Sequence, residues 1–135
     1  MENDERRLWA QARREAGKER LLSARHLLDG GFYRDSASRA YYAAFYAATA
    51  VCVLHGDSEK FPPNWNNPTH EQLPDLIQNN GDLSREVRER VRVTLRFARQ
   101  QRETADYRVG RAITKADAIE VIKLVASAMQ SLEER

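Results

Sequence analysis

Residues 36–54, Ser36-Ala-Ser-Arg-Ala-Tyr-Tyr-Ala-Ala-Phe-Tyr-Ala-Ala-Thr-Ala-Val-Cys-Val-Leu54, decide the fold. At helical spacing one face carries Ala37, Tyr41, Ala44, Ala48 and Val51, and the opposite face carries Tyr42, Phe45, Tyr46, Ala50 and Val53. A helix apolar on nearly all sides has to be enclosed by other elements. Six alanines between 40 and 50 let those neighbours approach closely. The stretch therefore predicts the central helix of a bundle. Only 15 residues separate the charged or polar brackets Arg39 and His55, short of the ~20 that a bilayer demands, so a membrane span is not expected.

Working outward, residues 4–29 predict a first helix, with Asn3 or Asp4 as N-cap and an apolar stripe of Trp9, Ala12, Ala16, Ala24, Leu27 and Leu28. Gly30-Gly31 ends it, and Asp35 or Ser36 opens the central helix, which stops near His55-Gly56. Residues 56–69 hold three prolines and show no periodicity, a long connection that Phe61 and Trp65 are expected to fasten to the body. Thr69-His70-Glu71-Gln72 has capping-box spacing and opens a short third helix. Ser84 caps a fourth helix to about Ala105, whose inward stripe is Val87, Val91, Thr94, Leu95, Ala98, Arg102 and Ala105. A turn at Val109-Gly110 and a second capping box, Thr114 to Asp117, lead to a fifth helix with Ala118, Ile122, Val125, Met129 and Leu132 in a narrow seam for one neighbour. The expected fold is all-α, an up-and-down four-helix-type bundle with a short extra helix, forming a single domain over 1–135.

Composition sets further bounds. With 135 residues, 41% hydrophobic and 31% charged, the chain suits one globular domain with a real core. A formal charge of +2 is too small to imply a polyanion partner by itself. The one cysteine, Cys52, lies inside the apolar helix and predicts a packed, inert thiol in a reducing compartment. The charged N-terminus leads into no signal-like apolar run, so a cytoplasmic protein is expected. No Cys/His cluster has metal-ligand spacing and no glycine-rich phosphate loop is present, so neither metal nor cofactor is expected.

Arg102 is the anomaly in the fourth helix, because it shares its line with Val91, Leu95 and Ala98. A guanidinium turned inward needs a partner. Two readings stand. In one, Arg102 and Asp106 at i+4 form a clamp on the helix end; in the other, Arg102 faces an anion in a pocket completed by Tyr107 and His70. Arg85, Arg88, Arg92, Arg96 and Arg99 form a second stripe on the same helix, with Glu89 and Glu103 as its nearby acids. Such a run is either a solvated face or a surface for phosphates or an acidic partner. Val93 and Phe97 fall outside the core stripe and point to a homodimer or partner surface. Tyr41, Tyr42 and Tyr46, with Arg39, read as core tyrosines whose hydroxyls reach the bundle edge. The three histidines sit on separate segments, and no serine or cysteine is locally paired with one.

The blocks Ser38-Arg-Ala-Tyr-Tyr-Ala43 and Arg102-Glu-Thr-Ala-Asp-Tyr107, in this order with His70 between them and a capped last helix after them, resemble the HEPN domain. The similarity is greatest to its small stand-alone prokaryotic members and covers about residues 16–132. The resemblance implies a helical bundle, commonly dimeric, often encoded beside a minimal nucleotidyltransferase in toxin-antitoxin or defence-type modules. Many members are metal-independent endoribonucleases that use an arginine followed four to six residues later by a histidine. Arg102 matches that arginine, whereas Tyr107 stands where the histidine would be. The expectation is a nucleotide- or RNA-binding or nucleotidyltransferase-partner module that recognises an anion through Arg102, Asp106, Tyr107, Arg39, Tyr42 and Tyr46. The alternative is a ribonuclease whose catalytic candidates are Arg102, His70 and Tyr107.

Overall fold

The computed structural model describes residues 2–107 and 112–134, with Asp106 and Tyr107 described in their backbone alone. Among the described residues five α-helices follow in order: α1 (Asn3–Asp29), α2 (Tyr33–His55), α3 (Gln72–Gln78), α4 (Arg85–Tyr107) and α5 (Lys115–Glu134), with one 3-10 turn at Asp57–Lys60. No strand occurs among the described residues, and the fold is all-α as expected. The turn expected at Val109-Gly110 lies outside the described residues.

α2 is the axis, packing against α1, α3, α4 and α5. From Ser36 to Val53 all but a few of its residues are buried, including Ala37, Ala40, Tyr41, Ala43, Ala44, Ala48 and Cys52. Burial, with the nearby Asp57 carboxylate adding to it, pushes the Cys52 thiol far above its usual range, in keeping with a packed, unreactive sulfur. No helix among the described residues is long and apolar enough to cross a membrane.

α1 and α2 form a helical hairpin through Gly30 and Gly31, the latter at φ 82°. α2 starts two or three residues earlier than Asp35 or Ser36 would have it. The Ser36 hydroxyl donates to the Ala24 carbonyl of α1 at 2.8 Å instead of capping, so it staples the hairpin. α1 in turn begins at Asn3 behind Glu2, without the side-chain cap expected of Asn3 or Asp4. Its buried residues are Ala10, Gly17 and Ala24, seven apart, while Ala12 is exposed. Small size governs that line more than hydrophobicity does. At Gly17 an added Cβ would lie 3.0 Å from the Ala43 carbonyl oxygen and 3.3 Å from the Ala47 nitrogen, so α1 rests almost directly on the α2 backbone.

The remaining starts are where local chemistry places them. Thr69 Oγ1 accepts from the Gln72 N–H at 3.0 Å, and the Gln72 side chain accepts from the Thr69 N–H at 3.3 Å, closing a capping box before α3. Ser84 Oγ accepts from the Val87 N–H at 3.2 Å at the start of α4. Thr114 and Asp117 exchange the same pair of bonds at 3.1 and 3.0 Å before α5. Thr114→Ala is therefore expected to lower unfolding free energy by about 1 kcal/mol. Chemical denaturation measures this, and an unchanged midpoint would contradict it. The seam of α5 is wider than one neighbour requires: Val121, Ala128 and Ser131 are buried beside the expected five, because α5 touches α1, α2 and α4. In the long connection Phe61 enters the core, but Trp65 is 56% exposed. Arg13 holds that segment to α1 instead, donating to Asn67 Oδ1 and to the Asn66 carbonyl.

Candidate anion-binding surface

Only one stripe of α2 stays partly open. Asp35, Ser38, Arg39, Tyr42 and Tyr46 recur at helical spacing along it, and with Arg20 and Leu27 of α1 they line a groove of about 550 Å³. Tyr42 and Tyr46 are half-buried and Arg39 is exposed. From the α1 side the Arg20 guanidinium lies over the Tyr46 ring, 4.7 Å from its centre. From the α4 side the Arg102 guanidinium lies over Tyr42 at 5.2 Å. Each pairing sets a cation against the negative face of a ring.

Next to Tyr42 sits His70, which the segment before α3 delivers into an aromatic nest. Its ring centre is 5.5 Å from Tyr41, 6.0 Å from Tyr42 and 5.1 Å from Phe45. Tyr41 Oη and His70 Nδ1 are 2.5 Å apart. Burial pushes the Tyr41 phenol far above its ordinary range, so it keeps its hydrogen. The His70 pKa is lowered, first by burial and then by the Arg99 and Arg102 charges, so the ring is neutral at pH 7. A protonated phenol facing a neutral imidazole donates to it, since the imidazole nitrogen is the stronger base of the two acceptors. Nδ1 therefore accepts and Nε2 carries the hydrogen. His70 presents an N–H donor, and its basic lone pair is already used.

A histidine whose folded pKa lies below the unfolded value near 6.5 binds protons more weakly when folded. Stability is then complete above that pH and falls as the pH drops through 6.5 and onward toward the folded value. The wild-type melting temperature is expected to decline between pH 7 and pH 5 more steeply than that of His70→Asn, whose amide oxygen still accepts from Tyr41. Parallel curves for the two proteins would contradict the assignment.

The α4 arginine stripe is largely engaged by acids and carbonyls. Arg92 pairs with Glu89 at 2.8 Å, Arg99 with Glu71 at 2.7 Å and with Glu103 at 3.1 Å, and Arg88 donates to the Gln78 carbonyl at 3.2 Å. The hydrogen bond from Arg99 holds the Glu71 carboxyl below its usual range. Arg85 and Arg96 are exposed. Arg99, though part of that stripe, also reaches the nest, because its charge acts on both His70 and Tyr41. The side chains of Asp106 and Tyr107, and with them the Arg102–Asp106 clamp, lie outside the described residues.

Arg102, His70, Tyr42, Tyr46 and Arg39, candidates drawn from three separate stretches, thus share one surface. Sequence reasoning missed Arg20, and it placed Tyr41 in the core without the bond to His70. The signal for Arg20 was the hairpin itself: an antiparallel pair turning at Gly30-Gly31 sets the middle of α1 beside the middle of α2.

The described helices form an all-α bundle whose central helix leaves two tyrosines half-open, each with a guanidinium over its ring. The family model of the HEPN domain matches residues 10–135, and the chain belongs to that family. A UPF0332 protein of Pyrococcus horikoshii is 54% identical over 39 residues, a segment that makes up 29% of this chain and 28% of that relative.

Proposed function

We propose that this HEPN protein binds the phosphates of single-stranded RNA along the tyrosine ridge of α2 and does not cleave them. The observation that carries the reading is the Arg102 guanidinium seated over Tyr42, beside a histidine that offers a hydrogen. Guanidiniums match phosphate oxygens in pairs, and tyrosine faces stack bases without regard to sequence. Cleavage requires a base that takes the proton of the 2′-hydroxyl. His70 has its lone pair committed to Tyr41, and an unperturbed tyrosine, the residue type at position 107, titrates near 10, too high to serve as a base near neutrality. Nuclease chemistry is accordingly the weaker reading.

In this proposal the protein is the RNA-recognising half of a toxin-antitoxin or defence-type pair, with a minimal nucleotidyltransferase as its counterpart in the cytoplasm. It acts as a homodimer. Support for a second copy comes from Val93 and Leu124, which are 51% and 39% exposed and line a shallow, mainly apolar groove between α4 and α5. Phe97, expected on that surface, packs against the core instead. Val93→Asp is expected to reduce the mass in sedimentation equilibrium to that of one chain; an unchanged mass would remove this face from the interface.

The direct test incubates the purified protein with total RNA and with a labelled single-stranded oligonucleotide. Retarded but full-length RNA is expected, with retardation lost in Arg102→Ala. Shortened RNA that stays intact with His70→Ala would replace this reading with the nuclease one.

A further inference from the structure

The groove beside the tyrosine ridge is chemically lopsided. At one end Tyr46 and Tyr42 carry Arg20 and Arg102 over their rings. At the other, one turn before Arg39 on the same stripe, stands the carboxylate of Asp35, with the Ser38 hydroxyl beside it and Leu27 on the opposite wall. Among the described residues Asp35 takes part in no ion pair, although Arg39 lies at i+4. A phosphate gains nothing from a carboxylate. An acidic group placed at one end of a cationic groove instead favours a ligand that carries its negative charge at one end and hydrogen donors at the other.

We propose that this groove selects guanine: Asp35 reads the base edge while Arg102 and Arg39 hold the adjoining phosphates. The inference rests on the RNA-binding reading and extends it to base identity. Guanine is the base whose Watson–Crick edge sets two donors side by side, N1–H and the N2 amino group, matching the two oxygens of one carboxylate. Adenine, cytosine and uracil each place an acceptor on that edge where the second donor would be needed. Ser38 adds a hydroxyl that both donates and accepts, and Leu27 supplies an apolar wall at that end of the groove. Spacing agrees, since seven residues at 1.5 Å rise set Asp35 about 10 Å along the axis from Tyr42, the reach of a nucleotide from base edge to phosphate. The volume of about 550 Å³ lies within the range of small-ligand sites.

The test measures fluorescence anisotropy of the full-length protein with four labelled RNA octamers, uridine throughout except for a central guanosine, adenosine, cytidine or uridine. The guanosine octamer is expected to bind roughly tenfold more tightly than the others, the effect of one good bidentate base contact. Asp35→Ala should abolish that preference while leaving the all-uridine octamer bound as well as before or better, which also shows the variant is folded. Equal affinity for all four octamers, lost together in Arg102→Ala, would overturn guanine selection and leave RNA binding standing. Failure of every octamer to bind would overturn both.

Discussion

Arg102→Ala is expected to weaken binding of single-stranded RNA by roughly tenfold to a hundredfold. Hydrogen bonds to a charged group contribute about 1.5–3 kcal/mol, and every 1.4 kcal/mol is a factor of ten. The loss should also flatten the dependence of affinity on salt, since each phosphate contact on a single strand adds about 0.7 to the slope of log K against log salt. Arg102→Lys restores the charge but not the flat, forked donor set and should recover only part of the affinity. These readouts separate recognition from a structural clamp. If Arg102 only ties down the end of α4, the alanine variant melts several degrees lower and binds RNA as the wild type does.

Gly17→Val carries the largest expected effect on stability. The Cβ that any residue would add at this position meets backbone atoms of α2, the Ala43 oxygen at 3.0 Å and the Ala47 nitrogen at 3.3 Å, with Met129 Cε at 3.5 Å. Backbone inside a buried helix cannot rotate away as a side-chain tip can. Valine adds two further methyl groups and a branch at the point of contact, so α1 must lift off α2 along the line Ala10, Gly17 and Ala24. Overpacking of this kind costs about 3 kcal/mol, which for a chain of this size lowers the melting temperature by roughly 10 °C. Gly17→Ala gains about 0.5–1 kcal/mol of helix propensity against a smaller clash and should end slightly destabilised. Circular dichroism melts decide the matter: a valine variant as stable as the wild type would mean that the two helices do not touch here.

The bundle was legible in the sequence where its causes are local. A 3.6-residue apolar period marks α4 and α5, a stretch apolar on nearly all sides marks α2, and hydroxyl residues placed three before Gln72, Val87 and Asp117 mark the helix starts. Arg102 stood out because a guanidinium interrupted an apolar line. The buried edge of α1 was legible only in part: Ala24 fell on the expected stripe and Trp9 and Leu28 pack against the core, but Ala10 and Gly17 carry little hydrophobic signal, and Ala12 looked like their equal. Partnerships across segments were hidden for another reason. The bond from Tyr41 to His70 spans 29 positions, and that from Arg99 to Glu71 spans 28, with an irregular connection between them whose path no periodicity describes. The arginine stripe consequently read as one continuous basic face, whereas three of its five members have acids or a carbonyl in hand. Glu89 and Glu103, noticed in the sequence as nearby acids, turn out to be two of those partners.

At the centre of this reading is a neutral imidazole whose Nδ1 accepts from Tyr41 and whose other nitrogen keeps a hydrogen to give. Long-range proton–nitrogen correlation spectra of labelled protein at pH 7, recorded before and after adding a single-stranded RNA octamer, read this state directly. His70 is expected as the tautomer protonated on Nε2 with Nδ1 accepting, its signals shifted by intact RNA and unmoved by the same addition to Arg102→Ala. A His70 protonated on Nδ1 with Nε2 bare, or RNA that emerges shortened from the sample, would contradict it.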